Sequence, residues 1–149
     1  MMSQLTAPVH EAVKELAAHG DQLAEQGAYE PALAEYEKAW ALLPEPRLRW
    51  EAATWLLAAI GDTHFKANNF AAAALALQDA MHCPGAIGNP FLHLRLGEAL
   101  FELGEKARAL DELARAYMGA GREIFKAEDP KYLAALSTVM RPPPGQTSL

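Results

Sequence analysis

The stretch from Val13 to Pro46, VKELAAHGDQLAEQGAYEPALAEYEKAWALLPEP, decides the fold of this chain. Its apolar and small residues recur at three- and four-residue intervals, which is the spacing of residues on one face of an α-helix. Gly27 interrupts this pattern midway, and the prolines at the end of the stretch stop it. The stretch therefore predicts two helices, Pro8–Glu25 and Glu30–Leu43, joined by a tight turn.

Two later stretches repeat this order of small and large residues. The turn at Gly27 is matched by Asn68-Asn69 and, less closely, by Gly104. Before each turn lies a helix with a glycine, and after it lies a helix with two alanines. These residues are Gly20, Ala32 and Ala39, then Gly61, Ala73 and Ala80, then Gly97, Ala109 and Ala116. Small residues at such positions let two helix axes approach closely.

This arrangement resembles the tetratricopeptide repeat (TPR) family, in which an antiparallel helix pair of about 34 residues is repeated. The resemblance covers Val13–Tyr117. It implies an all-α, right-handed solenoid of three helix hairpins with capping helices at the C-terminal end. We expect a single TPR domain over residues 1–140, with repeats at about 13–46, 47–87 and 90–121 and a cap at 122–140. A flexible tail is expected over 141–149.

The remaining helix boundaries follow from the same spacing and from the positions of Gly, Asn and Pro. They place helices at Arg47–Ala67, Phe70–Met81, Phe91–Leu103, Lys106–Met118, Arg122–Ala127 and Pro130–Met140. The first of these helices is longer than its counterpart in the first repeat. Asp129 directly precedes the last helix and is expected to cap it.

The composition suits a helical protein and disfavours two classes of partner. Hydrophobic residues make up 51% of the 149 residues, which is enough for a continuous core. The formal net charge is −6 and the 13 Lys and Arg are scattered, so no nucleic-acid surface is predicted. Neither a signal peptide nor a membrane span is recognisable, and the single cysteine, Cys83, suits a reducing compartment. We therefore expect a cytoplasmic protein without nucleic-acid or membrane partners.

Residues that could carry chemistry are present but poorly arranged for it. Possible zinc ligands occur at His64, His82, Cys83 and His93. They lack the Cys-x-x-Cys or His-x-x-x-His spacing that would favour a metal site. Cys83 precedes a proline in a predicted turn without an oxyanion donor, which argues against a thiol nucleophile. We expect no catalytic residue, no metal and no cofactor.

In TPR proteins the first helix of each pair lines a concave groove that holds the ligand. Carried over position by position, the resemblance implies a groove that is aromatic in its middle and mainly acidic around it. The predicted partner-binding residues are Asp21, Trp55, Asp62, Phe65, Phe91, Leu94, Arg95, Glu98 and Glu102. Such a groove suits a protein partner with a basic or apolar surface or helix. The alternative for the aromatic residues is that they pack between helices.

One subclass of TPR domains grips the C-terminal carboxylate of heat-shock chaperones with a clamp of Lys and Asn residues. The matching positions of this chain hold three apolar and three acidic residues, namely Ala17, Asp21, Ala58, Asp62, Leu94 and Glu98. Acidic side chains repel a carboxylate. A chaperone C-terminus is therefore not the expected ligand.

The resemblance implies a non-catalytic protein–protein interaction module that binds one protein partner in its groove. A second resemblance, to small stand-alone bacterial TPR proteins near polymorphic toxin genes, is carried by the long helix expected from Arg47 and by residues 79–90 and 124–133. It points to an immunity protein that neutralises a secreted toxin. The alternatives are a secretion chaperone for an apolar segment of a translocated protein and a self-associating structural protein. The sequence leaves the partner's identity and the oligomeric state open.

Overall fold

A computed structural model describes residues 4–149, and this range contains helices and no strand. The α-helices are α1 (Ala7–Glu25), α2 (Tyr29–Ala41), α3 (Glu51–Lys66), α4 (Phe70–Ala80), α5 (Pro90–Glu102), α6 (Lys106–Ala120) and α7 (Pro130–Leu136). Short 3-10 turns cover Arg47–Arg49 and Arg122–Phe125. Successive helices pack in pairs, α1 with α2, α3 with α4 and α5 with α6. The predicted all-α fold of three helix hairpins is therefore confirmed.

The chain forms two compact units, one ending at Ala86 and the other comprising Ile87–Leu149. In the first unit, α2 also packs on α3, so the first two hairpins share a core. In the second unit, α6 contacts both α7 and the 3-10 turn that precedes it. The division falls at the expected end of the second repeat. The single TPR domain expected over residues 1–140 stays a prediction.

Each hairpin turns at one residue with a left-handed backbone. These residues are Gly27, Asn68 and Gly104, with φ angles of 78°, 64° and 83°. The following residue donates its N–H to the carbonyl five positions earlier, at 2.9, 2.8 and 3.0 Å respectively. This bond satisfies a carbonyl that the end of the first helix would otherwise leave unpaired. Glycine and asparagine adopt the left-handed conformation at the lowest energetic cost, which explains why these residues occupy the three turns.

A glycine in the first helix of each pair allows the second helix to come close. The contacts are Gly20 with Tyr36, Gly61 with Leu77 and Gly97 with Leu113. An added Cβ at these glycines would lie 2.6, 2.5 and 2.9 Å from the facing side chain. The facing side chains and all six alanines named in the sequence repeats are buried. The close approach expected from the small residues thus occurs in all three hairpins.

The first helix of the second repeat is shorter than the sequence predicted. Instead of one helix over Arg47–Ala67, a 3-10 turn is followed by α3, which begins at Glu51. Trp50, between them, has an extended backbone, with φ −92° and ψ 142°. Its indole N–H donates to the Pro44 carbonyl at 2.8 Å and its side chain is buried. This non-helical anchor explains the break, which the apolar spacing alone does not reveal.

The last helix, α7, begins where the sequence predicted and ends earlier than predicted. The Asp129 carboxylate accepts the Lys131 N–H at 3.0 Å, so the predicted N-cap of α7 is confirmed. The helix ends at Leu136 rather than at Met140, and residues 137–139 continue as hydrogen-bonded turns. Residues 141–148 are mostly exposed, whereas Leu149 is buried. The flexibility of this tail stays a prediction.

His93 holds the segment that leads into α5. The Gly88 N–H donates to His93 Nε2 at 2.9 Å, and His93 Nδ1 lies 2.6 Å from a Glu112 carboxylate oxygen. Since Nε2 accepts a hydrogen bond, Nδ1 carries the proton and donates it to Glu112. The ring is buried. His93 therefore has a structural role in the second unit.

We expect Gly27→Val to lower the free energy of unfolding by about 1–2 kcal/mol, because a β-branched residue adopts a positive φ only under strain. No atom outside the turn lies within 4 Å of an added Cβ at Gly27, so the backbone strain is measured alone. Gly27→Asn is the control and should cost clearly less, since Asn68 holds the equivalent turn. Urea unfolding followed by circular dichroism gives both values. Equal losses for the two variants would contradict the left-handed turn.

We expect Gly61→Ala to cost about 1–3 kcal/mol of stability, because its methyl group overpacks the contact with Leu77. Leu77→Ala removes a fully buried side chain and should cost about 2–5 kcal/mol. In the double variant, the smaller residue at 77 leaves room for the new methyl group, so the combined loss should be less than additive. Urea unfolding of the four proteins tests this, and strict additivity would show that the two residues do not share the contact.

Candidate protein-binding groove

A groove opens in the first unit beside the starts of α1 and α3. Its volume is about 840 Å³. The lining residues are Gln4, Leu5, Ala7, His10, Arg49, Trp50, Glu51, Ala52, Trp55 and Pro84. The Thr54 hydroxyl donates to the Pro84 carbonyl at 2.8 Å, which fixes this proline beside α3. The groove thus combines two indole rings with four polar or charged residues, Gln4, His10, Arg49 and Glu51.

Trp55 is the accessible aromatic residue of this groove. Its side chain is 37% exposed, whereas Trp50 is 7% exposed and lies under the Arg49 guanidinium, 4.4 Å from the ring centroid. Trp50 also uses its indole N–H on the Pro44 carbonyl. Trp55 makes no hydrogen bond to any residue in the described range. It therefore presents part of its surface to a ligand.

Asp21 and Asp62 supply negative charge in the first unit, and both also support the fold. The exposed Asp21 carboxylate accepts the Tyr36 hydroxyl hydrogen at 2.6 Å. Burial, together with this carboxylate, raises the pKa of Tyr36 above its ordinary value. Asp62 is half-buried and lies 3.1 Å from the Lys66 ammonium one helical turn later. Lys66 therefore compensates part of the charge of Asp62, while Asp21 keeps its own.

Phe65 lies at the end of α3 and contacts the start of α4. Its ring meets Phe70 edge to face, with centroids 5.4 Å apart and an angle of 62° between the planes. Both residues are half-buried. This contact favours the packing alternative for Phe65, because aromatic pairs of this geometry stabilise a hairpin.

In the second unit, α5 is buried along most of its length. All nine residues from Leu92 to Leu100 are buried, and Leu94 and Glu98 are 1% and 0% exposed. Both were predicted from the sequence as partner-binding residues of the groove. The structure leaves neither of them surface to offer a partner. The same holds for most of Arg95, which is 8% exposed.

Arg95 joins Glu98 of α5 to Glu128 in the segment before α7. One guanidinium nitrogen lies 2.7 Å from a carboxylate oxygen of each acid. Burial and then the nearby Glu128 raise the pKa of Glu98 to about 9, although Arg95 acts in the opposite direction. Two carboxyl groups share one guanidinium and Glu98 is fully buried, which favours the protonated form of Glu98 at neutral pH. This cluster fastens the C-terminal segment to α5.

Glu102 continues the same attachment one turn further along α5. Its carboxylate accepts the Tyr132 hydroxyl hydrogen at 2.8 Å and lies 2.8 Å from the Lys131 ammonium. The Tyr132 ring also meets Phe101 edge to face, with centroids 5.5 Å apart. The face of α5 that carries Glu98 and Glu102 is therefore occupied by the chain's own C-terminal segment.

Phe91 is the predicted aromatic residue that stays accessible in the second unit. Its ring is 37% exposed, and the Arg95 guanidinium lies 5.2 Å from the ring centroid. Of the nine predicted residues, Asp21, Trp55 and Phe91 are exposed and the others are partly or fully engaged. His10, Trp50 and Pro84 line the groove and were not predicted from the sequence. Trp50 precedes α3 and Pro84 follows α4, so helical spacing gives no signal for either, whereas His10 shares the helical face of Ala17 and Asp21 on α1 and could have been found from that spacing.

The features considered for chemistry were a metal site and the Cys83 thiol. Among residues 4–149, no group of three or more His, Cys, Asp or Glu is placed to hold a metal ion. Cys83 is buried, and burial raises the pKa of its thiol. A thiol in such surroundings is a poor nucleophile.

None of the helices in the described range is both long enough and apolar enough to cross a membrane.

Comparison with solved structures identifies the fold. The crystal structure of MamA matches with a TM-score of 0.64 and 17% identity over 85% of this chain, which spans 65% of the MamA chain. The NMR structure of the second TPR domain of human RPAP3, in complex with the HSP70 peptide SGPTIEEVD, matches with a TM-score of 0.66 and 18% identity, covering 87% of this chain and 96% of that domain. No family model and no curated protein sequence matches the chain. The TPR-type fold predicted from the sequence is therefore confirmed.

The buried Glu98 makes stability depend on pH. Between pH 4.5 and about 9, the folded state keeps a Glu98 proton that the unfolded state loses, so the free energy of unfolding falls as pH rises through this range. Glu98→Gln should flatten this dependence. Glu105→Gln, at an exposed carboxylate paired with Arg108, should keep the wild-type slope. Urea unfolding across this pH range measures the slopes, and equal slopes for wild type and Glu98→Gln would contradict a retained proton.

Proposed function

We propose that this chain is a non-catalytic interaction module that binds one protein partner through the groove of its first unit. The observation that carries the proposal is Trp55, which is 37% exposed and lines this groove. Tryptophans in concave sites are frequent hot spots of protein–protein interfaces. The TPR-type fold and the peptide bound by the RPAP3 domain support a protein ligand.

The charges of the first unit favour a basic or apolar ligand. Glu51 lines the groove and is exposed, and Asp21 is an exposed acid on α1. Arg49 also lines the groove and is exposed, so it adds one positive charge there, and its guanidinium lies over the Trp50 ring. The peptide in the RPAP3 complex, SGPTIEEVD, carries several acidic residues near its end. The acidic residues of the first unit repel an acidic ligand of this type. We therefore propose a ligand with a basic or apolar surface.

Two forms of this function differ in what the groove would hold. The immunity form, which is supported by the resemblance to TPR proteins near toxin genes, requires a folded toxin domain whose active surface becomes covered. The secretion-chaperone form requires only a short apolar segment. A groove of about 840 Å³ is suited to a short segment, which favours the chaperone form. The smallest fragment of the partner that still binds separates the two, since a peptide suffices for one and a folded domain is needed for the other.

Trp55→Ala should weaken partner binding by about 2 kcal/mol, or about 30-fold in Kd, because it removes the exposed indole of the groove. The partner is first isolated by affinity capture from native lysate, and the affinities are then measured by calorimetry. Leu75→Ala is the control, since Leu75 is 62% exposed on α4 and does not line the groove. It should bind as tightly as wild type. An undiminished affinity for Trp55→Ala would move the binding site away from this groove.

A further inference from the structure

A segment near the C-terminal end has the conformation of a groove ligand. In Arg141-Pro142-Pro143-Pro144-Gly145, three successive residues each precede a proline. A residue before proline is restricted to extended or polyproline II backbone, so the segment is preorganised before it binds. It is exposed except for the half-buried Pro143, and a turn closed by the Gln146 N–H and the Pro143 carbonyl, at 3.0 Å, ends it.

The groove of the first unit offers the groups that recognise polyproline II segments. Such segments bind grooves lined with aromatic rings, on which the prolines pack. Trp50 already pairs its indole N–H with a prolyl carbonyl, that of Pro44, at 2.8 Å. Five residues later, Trp55 presents an exposed ring and an indole N–H with no acceptor among the described residues. Pro84 supplies a further apolar wall.

One acidic residue of the groove is complementary to the basic residue of the segment, although the groove also carries the exposed Arg49. Glu51 is exposed at the groove, and Arg141 is exposed directly before the three prolines. Neither residue forms an ion pair within the described part of the chain. A polyproline segment seated on Trp55 with its basic residue towards Glu51 would satisfy both charges. The ion pair between Arg141 and Glu51 would fix the direction in which the segment runs through the groove, while the prolines supply the apolar contact.

We propose that the groove of the first unit binds Arg141–Gly145 of a second copy of this chain. The inference rests on the proposed function of the groove as a site for protein segments, and it names one occupant. The segment is exposed on its own chain and therefore accessible to another copy. Two copies that exchange segments make two equal contacts, which reinforce each other in the closed dimer. A partner protein must then displace the segment to bind.

Light scattering coupled to size-exclusion chromatography tests the exchange on the full chain over a range of concentrations. Wild type should approach the mass of a dimer as its concentration rises. Trp55→Ala, which lacks the groove anchor, and the tail variant, in which Pro142, Pro143 and Pro144 are replaced by Ala, should each stay monomeric. An equimolar mixture of the two variants retains one intact groove and one intact segment, so it should form a heterodimer. Leu75→Ala should behave as wild type.

A synthetic peptide of residues 139–147 provides the second measurement. Added to the tail variant, it should shift the Trp55 indole N–H signal in NMR spectra, and the combined variant with Trp55→Ala should bind it about tenfold more weakly or worse. Dimers that survive both substitutions would overturn the proposal. A wild type that stays monomeric would also overturn it. This holds if the peptide does not bind at all, and equally if the peptide binds only the tail variant because the chain's own segment fills the groove. If Trp55→Ala loses its partner protein while no dimer forms, the proposed function stands and this inference fails.

Discussion

Close contact between the two helices of each hairpin is the constraint on which the rest of the structure depends. Gly20, Gly61 and Gly97 leave no room for a methyl group beside the facing side chain, and those side chains are buried as a result. The contact sets the distance and rotation of each first helix relative to its second helix. Trp55 lies six residues before Gly61 on the same helix, so the packing of α3 against α4 also orients the groove residue.

The two units use the same kind of hairpin for different purposes. In the second unit, the polar face of α5 binds the chain's own C-terminal segment through Arg95, Glu98 and Glu102. Charged groups lose hydration when they are buried, and the shared guanidinium together with the retained proton of Glu98 offsets that loss. In the first unit, Trp55 and Asp21 stay exposed. More of the predicted binding residues are therefore accessible in the first unit than in the second.

Much of the fold could be predicted, and the errors have clear causes. The turns at Gly27, Asn68 and Gly104 and the helices that flank them were predicted from local signals, with most ends displaced by one or two residues. The break at Trp50 was missed because it depends on a hydrogen bond to Pro44, outside the helical pattern. The burial of Leu94 and Glu98 was missed because helical spacing does not distinguish a polar residue in water from one paired inside the protein.

The sequence by itself determined the helix hairpins, since a left-handed turn residue and a small residue at a helix contact act over a few positions along the chain. Only the tertiary structure decided which of the expected binding residues are accessible. Accessibility depends on segments distant in sequence, such as Glu128, 33 residues after Arg95, and Tyr132, 30 residues after Glu102. The residue pattern of α5 does not predict these contacts, because the partner residues come close to α5 only in the folded chain.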